Sequence, residues 1–322
     1  SELGDTWGTA LAFMALGAAS RCRGQFAVAR TYYEKSLAAR REFGRDPIGV
    51  AQCMWHIATT ATVEGRHEEA MGQFREAGCA AKQAGDLGLA VRSLTGLARA
   101  ARAEGCLADA GGALEESLAL CQAAGFREQH AEILAEQADI ALGHNDAAAA
   151  RQAAECALAL DEANPHAGLV AARLELLRGK RSQALRDLRE ALRHALRRRD
   201  CEVIAEVALT LAELCMQDRD PVDAATMAWA VLDSPATRLD QRARAEAILG
   251  ALGPRDSLFA PRQGSNPESS LGAVAALVLS RVLRSSSCGA AAGVVPLSRR
   301  SPRRVMPAPS NPSGSRRTAA MC

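Results

Sequence analysis

The chain has 322 residues, enough for one or two ordinary domains, and 48% of them are hydrophobic, so a sizeable core can form. Only 3% are aromatic; the apolar content is mainly alanine and leucine, which favour helix and exclude a core built on large rings. The net charge of +2 conceals a split, because residues 254–322 carry ten arginines and two acidic residues (+8) whereas residues 1–253 carry 29 basic and 35 acidic residues (−6). The mildly acidic body gives no electrostatic case for direct nucleic-acid contact by this part of the chain.

One pattern recurs six times between the N-terminus and residue 235. Its first copy consists of Leu16-Gly17, Gly24, Phe26, Ala29, Tyr33 and Ser36-Leu37. The residues at the turn inside each copy are 41, 40, 40, 34 and 40 positions apart: Gly24, Gly65, Gly105, Asn145, Gly179 and Arg219. A second series marks the joints between copies: Gly4, Gly44, Gly85 and Gly125. Glycine and asparagine tolerate the positive φ of a helix end, so the two series predict stacked pairs of helices in an all-α protein.

The predicted repeats cover residues 6–43, 47–84, 87–124, 128–163, 166–198 and 201–235, and a closing helix covers 239–252. Together they form one repeat domain over residues 1–253. Alanine or glycine recurs on both helices of each pair, where two helix axes approach so closely that no larger side chain fits. Because Gly4-Asp5 resembles the later joints, we expect the chain to be a fragment whose missing N-terminal part holds either further repeats or an effector domain.

After Gly253 the helical period stops, and proline, serine, glycine and arginine dominate residues 254–322. Such a basic tail cannot bury enough apolar surface to offset its ordering entropy, so we expect it to be disordered. One alternative is an arm that attracts nucleic acid or acidic lipid. Another is an out-of-frame translation product of a GC-rich gene. One short helix is expected at residues 271–284.

The six copies resemble the tetratricopeptide repeat, which pairs Leu-Gly on the first helix with a glycine turn, and an aromatic, alanine, an aromatic and Ala-Leu on the second. Ala157-Leu158 followed by Asn164-Pro165 also resembles the usual end of such a repeat. The fourth copy departs at Gln137 and Ala154, and the sixth departs at Pro221 and Ala228. The resemblance implies a right-handed superhelix (an α-solenoid) of about six helix-turn-helix repeats.

A period near 40 is similar to that of the C-terminal sensor regions of bacterial STAND-type ATPases and transcriptional regulators. This likeness implies a protein–protein or peptide-binding scaffold that serves as the sensor part of a bacterial signalling or transcriptional regulator. The output domains of such regulators are not visible in the sequence, which contains no G-x-x-x-x-G-K-[ST] motif. Two alternatives remain open: a small-molecule inducer-binding module in the concave groove, and a structural self-association module.

The sequence offers no pattern for catalysis, so we expect no enzymatic activity, no metal and no cofactor. The six histidines are scattered without an H-E-x-x-H spacing, and neither a G-x-S-x-G elbow nor a C-x-x-C pair occurs. The ten cysteines are expected to be reduced. The apolar stretch at residues 271–279 is too short to span a bilayer, and no secretory signal is visible, so we expect a cytoplasmic protein without a membrane partner.

In a tetratricopeptide superhelix the first helices line the concave face. The resemblance therefore implies the following lining: Arg21, Gln52, Trp55, Thr59, Arg92, Arg99, Arg102, Glu132, Asp139, Arg173, Glu206 and Glu213. Because Arg92, Arg99 and Arg102 share one helix face, and arginine favours carboxylates and phosphates, we expect them to bind an acidic or C-terminal carboxylate group of an extended peptide, with Trp55 beside them. The alternative is that Glu132 and Asp139 neutralise the arginines as salt bridges between repeats. Trp55 equally fits a packing position between adjacent first helices.

Overall fold

The computed structural model describes residues 2–234 and 237–252; the predicted tail 254–322 and its short helix at 271–284 lie outside this part. The described residues form thirteen helices: α1 (Glu2–Cys22), α2 (Phe26–Phe43), α3 (Pro47–Val63), α4 (His67–Gln83), α5 (Leu87–Glu104), α6 (Leu107–Ala124), α7 (Arg127–Gly143), α8 (Ala147–Leu160), α9 (Pro165–Leu177), α10 (Arg181–Arg198), α11 (Cys201–Gln217), α12 (Pro221–Asp233) and α13 (Leu239–Leu252). The predicted all-α solenoid of six helix pairs is confirmed.

The helix boundaries follow from local chemistry. All six predicted turn residues have positive φ, including Asn145 at 59° and Arg219 at 57°. Aspartate or asparagine begins several helices; Asp86, for example, accepts a hydrogen bond from the backbone N–H of Leu89 at 2.9 Å, which pairs a donor that the helix itself leaves unpaired. One predicted joint is wrong: Gly4 lies inside α1, because that helix already begins at Glu2.

The close approach of helices depends on small residues at fixed positions. Ala70, Ala110 and Ala184 have no exposed surface, and Ala98 is 1% exposed. At Gly17 the constraint is direct, since a Cβ atom there would lie 2.6 Å from Cε1 of the buried Tyr33. The core therefore runs as a layer between consecutive helices along the whole array rather than around one centre.

The odd-numbered helices form an inner row. Each helix from α3 to α11 in this row contacts the next odd-numbered helix, whereas the even-numbered helices pack behind them. The closing helix α13 extends the inner row beyond the sixth pair and packs against α11 and α12. This arrangement gives one continuous concave face, whose side chains come from α1, α3, α5, α7, α9, α11 and α13. No helix of the described residues is long and apolar enough to cross a membrane.

Candidate functional site

The concave face contains a cavity of about 560 Å³ between α5 and α13. Seven of the twelve residues predicted for the groove line this cavity: Arg92, Arg99, Arg102, Glu132, Asp139, Arg173 and Glu206. Glu213 lies beside it and pairs with Arg244 at 2.8 Å. The other four, on α1 and α3, are not part of the cavity lining: Arg21, Gln52, Trp55 and Thr59. The Thr59 hydroxyl donates to the Trp55 carbonyl at 2.8 Å, so its hydrogen bond is made within its own helix.

The charge of the groove alternates from one inner helix to the next. The groups are arginines on α5 (Arg99, Arg102), acids on α7 (Glu128, Glu132, Glu136, Asp139), cations on α9 (His166, Arg173), acids on α11 (Glu202, Glu206, Glu213) and two arginines at the closing helix, Arg238 just before α13 and Arg244 within it. Neighbouring inner helices therefore attract one another through ion pairs. We call this set of groups the charge ladder.

At the first step of the ladder, two arginines of α5 pair with acids of α7. Arg99 donates to Glu132 at 2.8 Å and also to Glu136. Arg102 lies 3.8 Å from both Glu136 and Asp139. The Glu136 side chain is only 3% exposed; burial alone would raise the pKa of its carboxyl, but Arg99, His166 and Arg102 outweigh burial and lower it. The pairs Arg99–Glu132 and Arg102–Asp139 are salt bridges between repeats, as in the alternative interpretation of the sequence.

His166 lies at the centre of the ladder. Its Nε2 is 3.0 Å from Oδ2 of Asp139, and its Nδ1 is 3.4 Å from Oε1 of Glu136. Burial opposes the charged imidazole, but Glu136 and Asp139 outweigh it and raise the pKa of His166 to about 9. The same contacts hold the pKa of Asp139 well below its usual range against the effect of burial. His166 is therefore a cation at neutral pH and takes the place of an arginine in the ladder.

Towards the C-terminal end, the ladder continues into the closing helix. Arg173 of α9 and Arg244 of α13 both bind Oε2 of Glu206, the latter at 2.8 Å. Arg238 pairs with Glu202, and Gln241 donates to Oε1 of Glu206 at 3.0 Å. Burial raises the pKa of Glu206, but the two arginines outweigh it and lower the pKa below its ordinary value.

At the N-terminal end, the groove carries a different set of groups. The rings of Tyr33 and His56 stack with centroids 4.9 Å apart, and the Trp55 ring lies edge-on to His56 at 5.0 Å. The Arg92 guanidinium lies over the Trp55 ring, 5.5 Å from its centroid. Arg21 lies at the opposite end of this set, where its positive charge opposes the rise that burial causes in the pKa of Tyr33 and adds to burial in lowering the pKa of His56. We call these five residues the aromatic row.

The part of the chain that the structure describes holds no group of three or more histidine, cysteine or acidic side chains suited to a metal ion. The histidine and acids of the ladder are instead used in ion pairs with arginine.

Residues 8–77 match the tetratricopeptide repeat family model. Among curated proteins, none matches this chain. Among proteins of known structure, the apo form of RapI superimposes with a TM-score of 0.53 at 12% identity, over 74% of this chain and 85% of its own. The Rap conjugation gene regulator of plasmid pLS20, in complex with the Phr* peptide, gives 0.55 at 12% identity over 88% and 76%. Aspartyl phosphate phosphatase F from Bacillus subtilis gives 0.55 at 12% identity over 81% and 64%. At this identity the likeness shows the fold: a right-handed superhelix of tetratricopeptide-like repeats.

Sequence reasoning missed several members of the ladder. They are Glu128, Glu136, His166, Glu202, Arg238 and Arg244. A signal existed for His166, which precedes its turn residue Gly179 by the same number of positions as Arg92 precedes Gly105. No such register exists for Arg238 and Arg244, because the closing helix has no second helix after it in the described residues.

Proposed function

We propose that the chain is a scaffold that binds an extended peptide, or an extended segment of a partner protein, in its concave groove. The observation that carries this proposal is the charge ladder, which presents alternating acids and cations along five successive inner helices. A peptide lying along the groove meets a donor or an acceptor at each helix. Support also comes from the pLS20 Rap regulator, whose described complex is with a peptide and whose fold is similar.

Ion pairs in the groove do not prevent binding, because most of their members keep contact with water. The side chains of Arg99 and Arg102 are each 28% exposed, and that of Glu132 is 45% exposed. The partly exposed pair of Arg99 with Glu132 contributes only about 0–1 kcal/mol, so a ligand can exchange it for its own charged groups at small cost, whereas the buried Glu136 stays in place. Recognition by exchange favours a peptide of mixed charge over a uniformly acidic one.

We further propose that this scaffold is the sensor part of a bacterial signalling or transcriptional regulator in the cytoplasm. The repeat period near 40 and the similar fold of a conjugation gene regulator support this context. In that role the repeats sense a partner, while any output belongs to other domains.

A small-molecule inducer is a weaker candidate for the same groove. The cavity volume lies within the usual range of about 300–1,000 Å³ for ligand pockets, but such pockets are lined mainly by apolar and aromatic side chains. This cavity is lined mainly by arginines and acids, with Leu169, Val203 and Pro165 as its apolar members.

Self-association is favoured by one specific observation on α1. This helix carries no charged residue from Thr6 to Ser20, and Trp7 and Leu11, which are one turn apart on the same face, are 46% and 40% exposed. An exposed apolar patch of this kind is typical of an interaction surface. Light scattering on the chain and on Leu11→Glu tests this candidate: a stable oligomer that dissociates in the variant supports it.

Peptide binding is tested with a library of random linear dodecapeptides displayed against the immobilised chain. Enriched peptides are then measured against Glu132→Arg, which reverses one charge inside the groove, and against Glu155→Arg, which reverses an exposed charge on the outer helix α8. We expect peptides to bind the wild type and Glu155→Arg equally, and Glu132→Arg at least about tenfold more weakly. Equal loss in both variants, with unchanged helical circular dichroism, would contradict binding in the groove.

A further inference from the structure

The aromatic row differs from the charge ladder because its cations have no acidic partner. Within the described residues, no carboxylate forms an ion pair with Arg21 or Arg92, and the charged groups that act on His56 are both guanidiniums. Three buried polar atoms of the row also have no hydrogen-bond partner there, Arg21 Nε, Trp55 Nε1 and His56 Nδ1, and the Tyr33 hydroxyl has only the Arg21 guanidinium beside it. Tyr33 has no exposed surface, so its hydroxyl does not reach bulk water.

Leaving such atoms unpaired is costly. A buried donor without an acceptor has given up its hydrogen bond to water and gained none in return, and folded proteins keep few of them. Arg21, Tyr33 and Trp55 all have hydrogen atoms to donate, so the group that completes this site must bring acceptors and negative charge. We propose that Arg21, Trp55, His56 and Arg92, with the Tyr33 hydroxyl behind them, form a subsite for an oxyanion, either a carboxylate or a phosphate.

The surroundings of this subsite also explain why an oxyanion binds there rather than at Arg99 or Arg102. An oxyanion approaching Arg99 or Arg102 has to compete with Glu132, Glu136 and Asp139, which already hold them. At Arg92 it meets no such competitor, and the partly buried Trp55 ring beneath the guanidinium keeps that group in place by a cation–π contact. The proposed anion-binding residues therefore differ from those predicted from the sequence. Arg92 and Trp55 are kept, Arg21 and His56 are added, and Arg99 and Arg102 are no longer included.

His56 provides a signature of binding. Burial, and then the Arg21 and Arg92 guanidiniums, lower the pKa of its imidazole to about 4. The groups that face it are Arg21 from α1, Tyr33 from α2 and Arg92 from α5, together with Trp55 of its own helix. An oxyanion between the guanidiniums offsets their repulsion, so binding must shift the His56 pKa upwards; where the oxyanion itself stays ionised, protonation of His56 strengthens binding.

The inference deepens the proposed function and rests on it only for the source of the oxyanion. The test uses the whole isotope-labelled chain, titrated at constant ionic strength with sodium phosphate, with sodium acetate and with hexapeptides that end in a free carboxylate, end in an amide or carry phosphoserine. The readouts are the Trp55 indole N–H resonance, assigned with Trp55→Phe, and the titration of His56. We expect a saturable shift of Trp55 and an upward shift of the His56 pKa. Saturation by the free ions identifies a free oxyanion, and saturation only by the peptides with a free carboxylate or phosphoserine identifies a peptide-borne one.

Matched variants decide the assignment. Arg21→Gln and Arg92→Gln should each weaken binding by about tenfold, the value of one charge-assisted hydrogen bond, whereas Arg41→Gln, at an exposed position on the outer helix α2, should leave it unchanged. No saturable shift with any probe, or equal affinity in all three variants, overturns the subsite. Failure here leaves the peptide-library result with Glu132→Arg untouched, so loss of the subsite and loss of the proposed function are separate outcomes.

Discussion

Leu239, the first residue of the closing helix, lies against Gly65, the turn residue of the second repeat. A Cβ atom on Gly65 would be only 2.6 Å from the Leu239 Cδ2 atom. The two residues are far apart along the chain, so the superhelix has turned far enough for the start of its last helix to contact an early repeat.

Gly65→Ala should therefore destabilise the fold for two reasons. The φ of Gly65 is +74°, which costs an alanine about 1–2 kcal/mol, and the new methyl group displaces the Leu239 side chain, which adds a smaller amount because Leu239 is 56% exposed and can move towards solvent. Gly105→Ala is the matched control, because Gly105 has a φ of +85° but nothing lies within 4 Å of the place that its new methyl group would take. Urea unfolding should show the larger loss at Gly65, and Leu239→Ala should remove that excess. Equal losses at the two glycines would show that the contact contributes nothing.

The contact between Gly65 and Leu239 is a feature that the sequence could not predict. The turn series predicted the helix pairs correctly, because positive φ at Gly65, Asn145 or Arg219 is a local requirement. The pitch of a superhelix instead accumulates from small rotations between neighbouring repeats, and no local pattern encodes that sum. The contact between Gly65 and Leu239 therefore could not be read from the spacing.

Part of the candidate site could be predicted because some of its residues occupy the same position in successive repeats. Arg99, Asp139 and Arg173 occupy one register of the first helices, so a single resemblance located all three. Glu136 was missed because it is buried beneath the groove, at a position where the repeat pattern predicts core packing. The pairing of Arg99 with two acids also depends on which helices are neighbours, which the sequence supplies only once the fold is known.

Replacing two glycines inside helices by alanine should change the free energy of unfolding in opposite directions. A methyl group at Gly96 would lie 2.5 Å from Cε1 of Phe74, a buried ring of the preceding repeat, whereas nothing lies within 4 Å of the same position at Gly112 on α6. Gly96→Ala should lower the free energy of unfolding by about 1–3 kcal/mol through overpacking. Gly112→Ala should raise it by about 0.5–1 kcal/mol because alanine is the better helix former. Thermal and urea denaturation measure both; a stabilising Gly96→Ala would contradict close packing at Phe74.

The buried acid of the ladder should matter more to stability than its exposed neighbour. Glu136→Gln removes a carboxylate that is 3% exposed and leaves Arg99, Arg102 and His166 without their common partner. We expect a loss of about 3 kcal/mol, at the low end for a broken buried pair because both guanidiniums remain partly in water. Glu132→Gln removes a carboxylate that is 45% exposed from the same Arg99 and should cost less than about 1 kcal/mol. Chemical denaturation of the two variants at neutral pH makes the comparison, and a reversed order would contradict the central place of Glu136.

The raised pKa of His166 predicts that stability falls at alkaline pH. An unfolded histidine titrates near 6.5, whereas the folded value is about 9 because Glu136 and Asp139 outweigh burial and the opposing charge of Arg99. The folded state therefore binds the proton more tightly: the extra stability is complete below about pH 6.5 and disappears as the pH rises through 9. Its full size is about 3 kcal/mol, from a difference of about 2.5 in pKa. His166→Gln lacks this term, so the wild type should exceed it by that amount at pH 6 and match it near pH 10. Urea unfolding of both proteins across this range measures the difference, and a constant difference would mean that the imidazole is neutral in the folded chain.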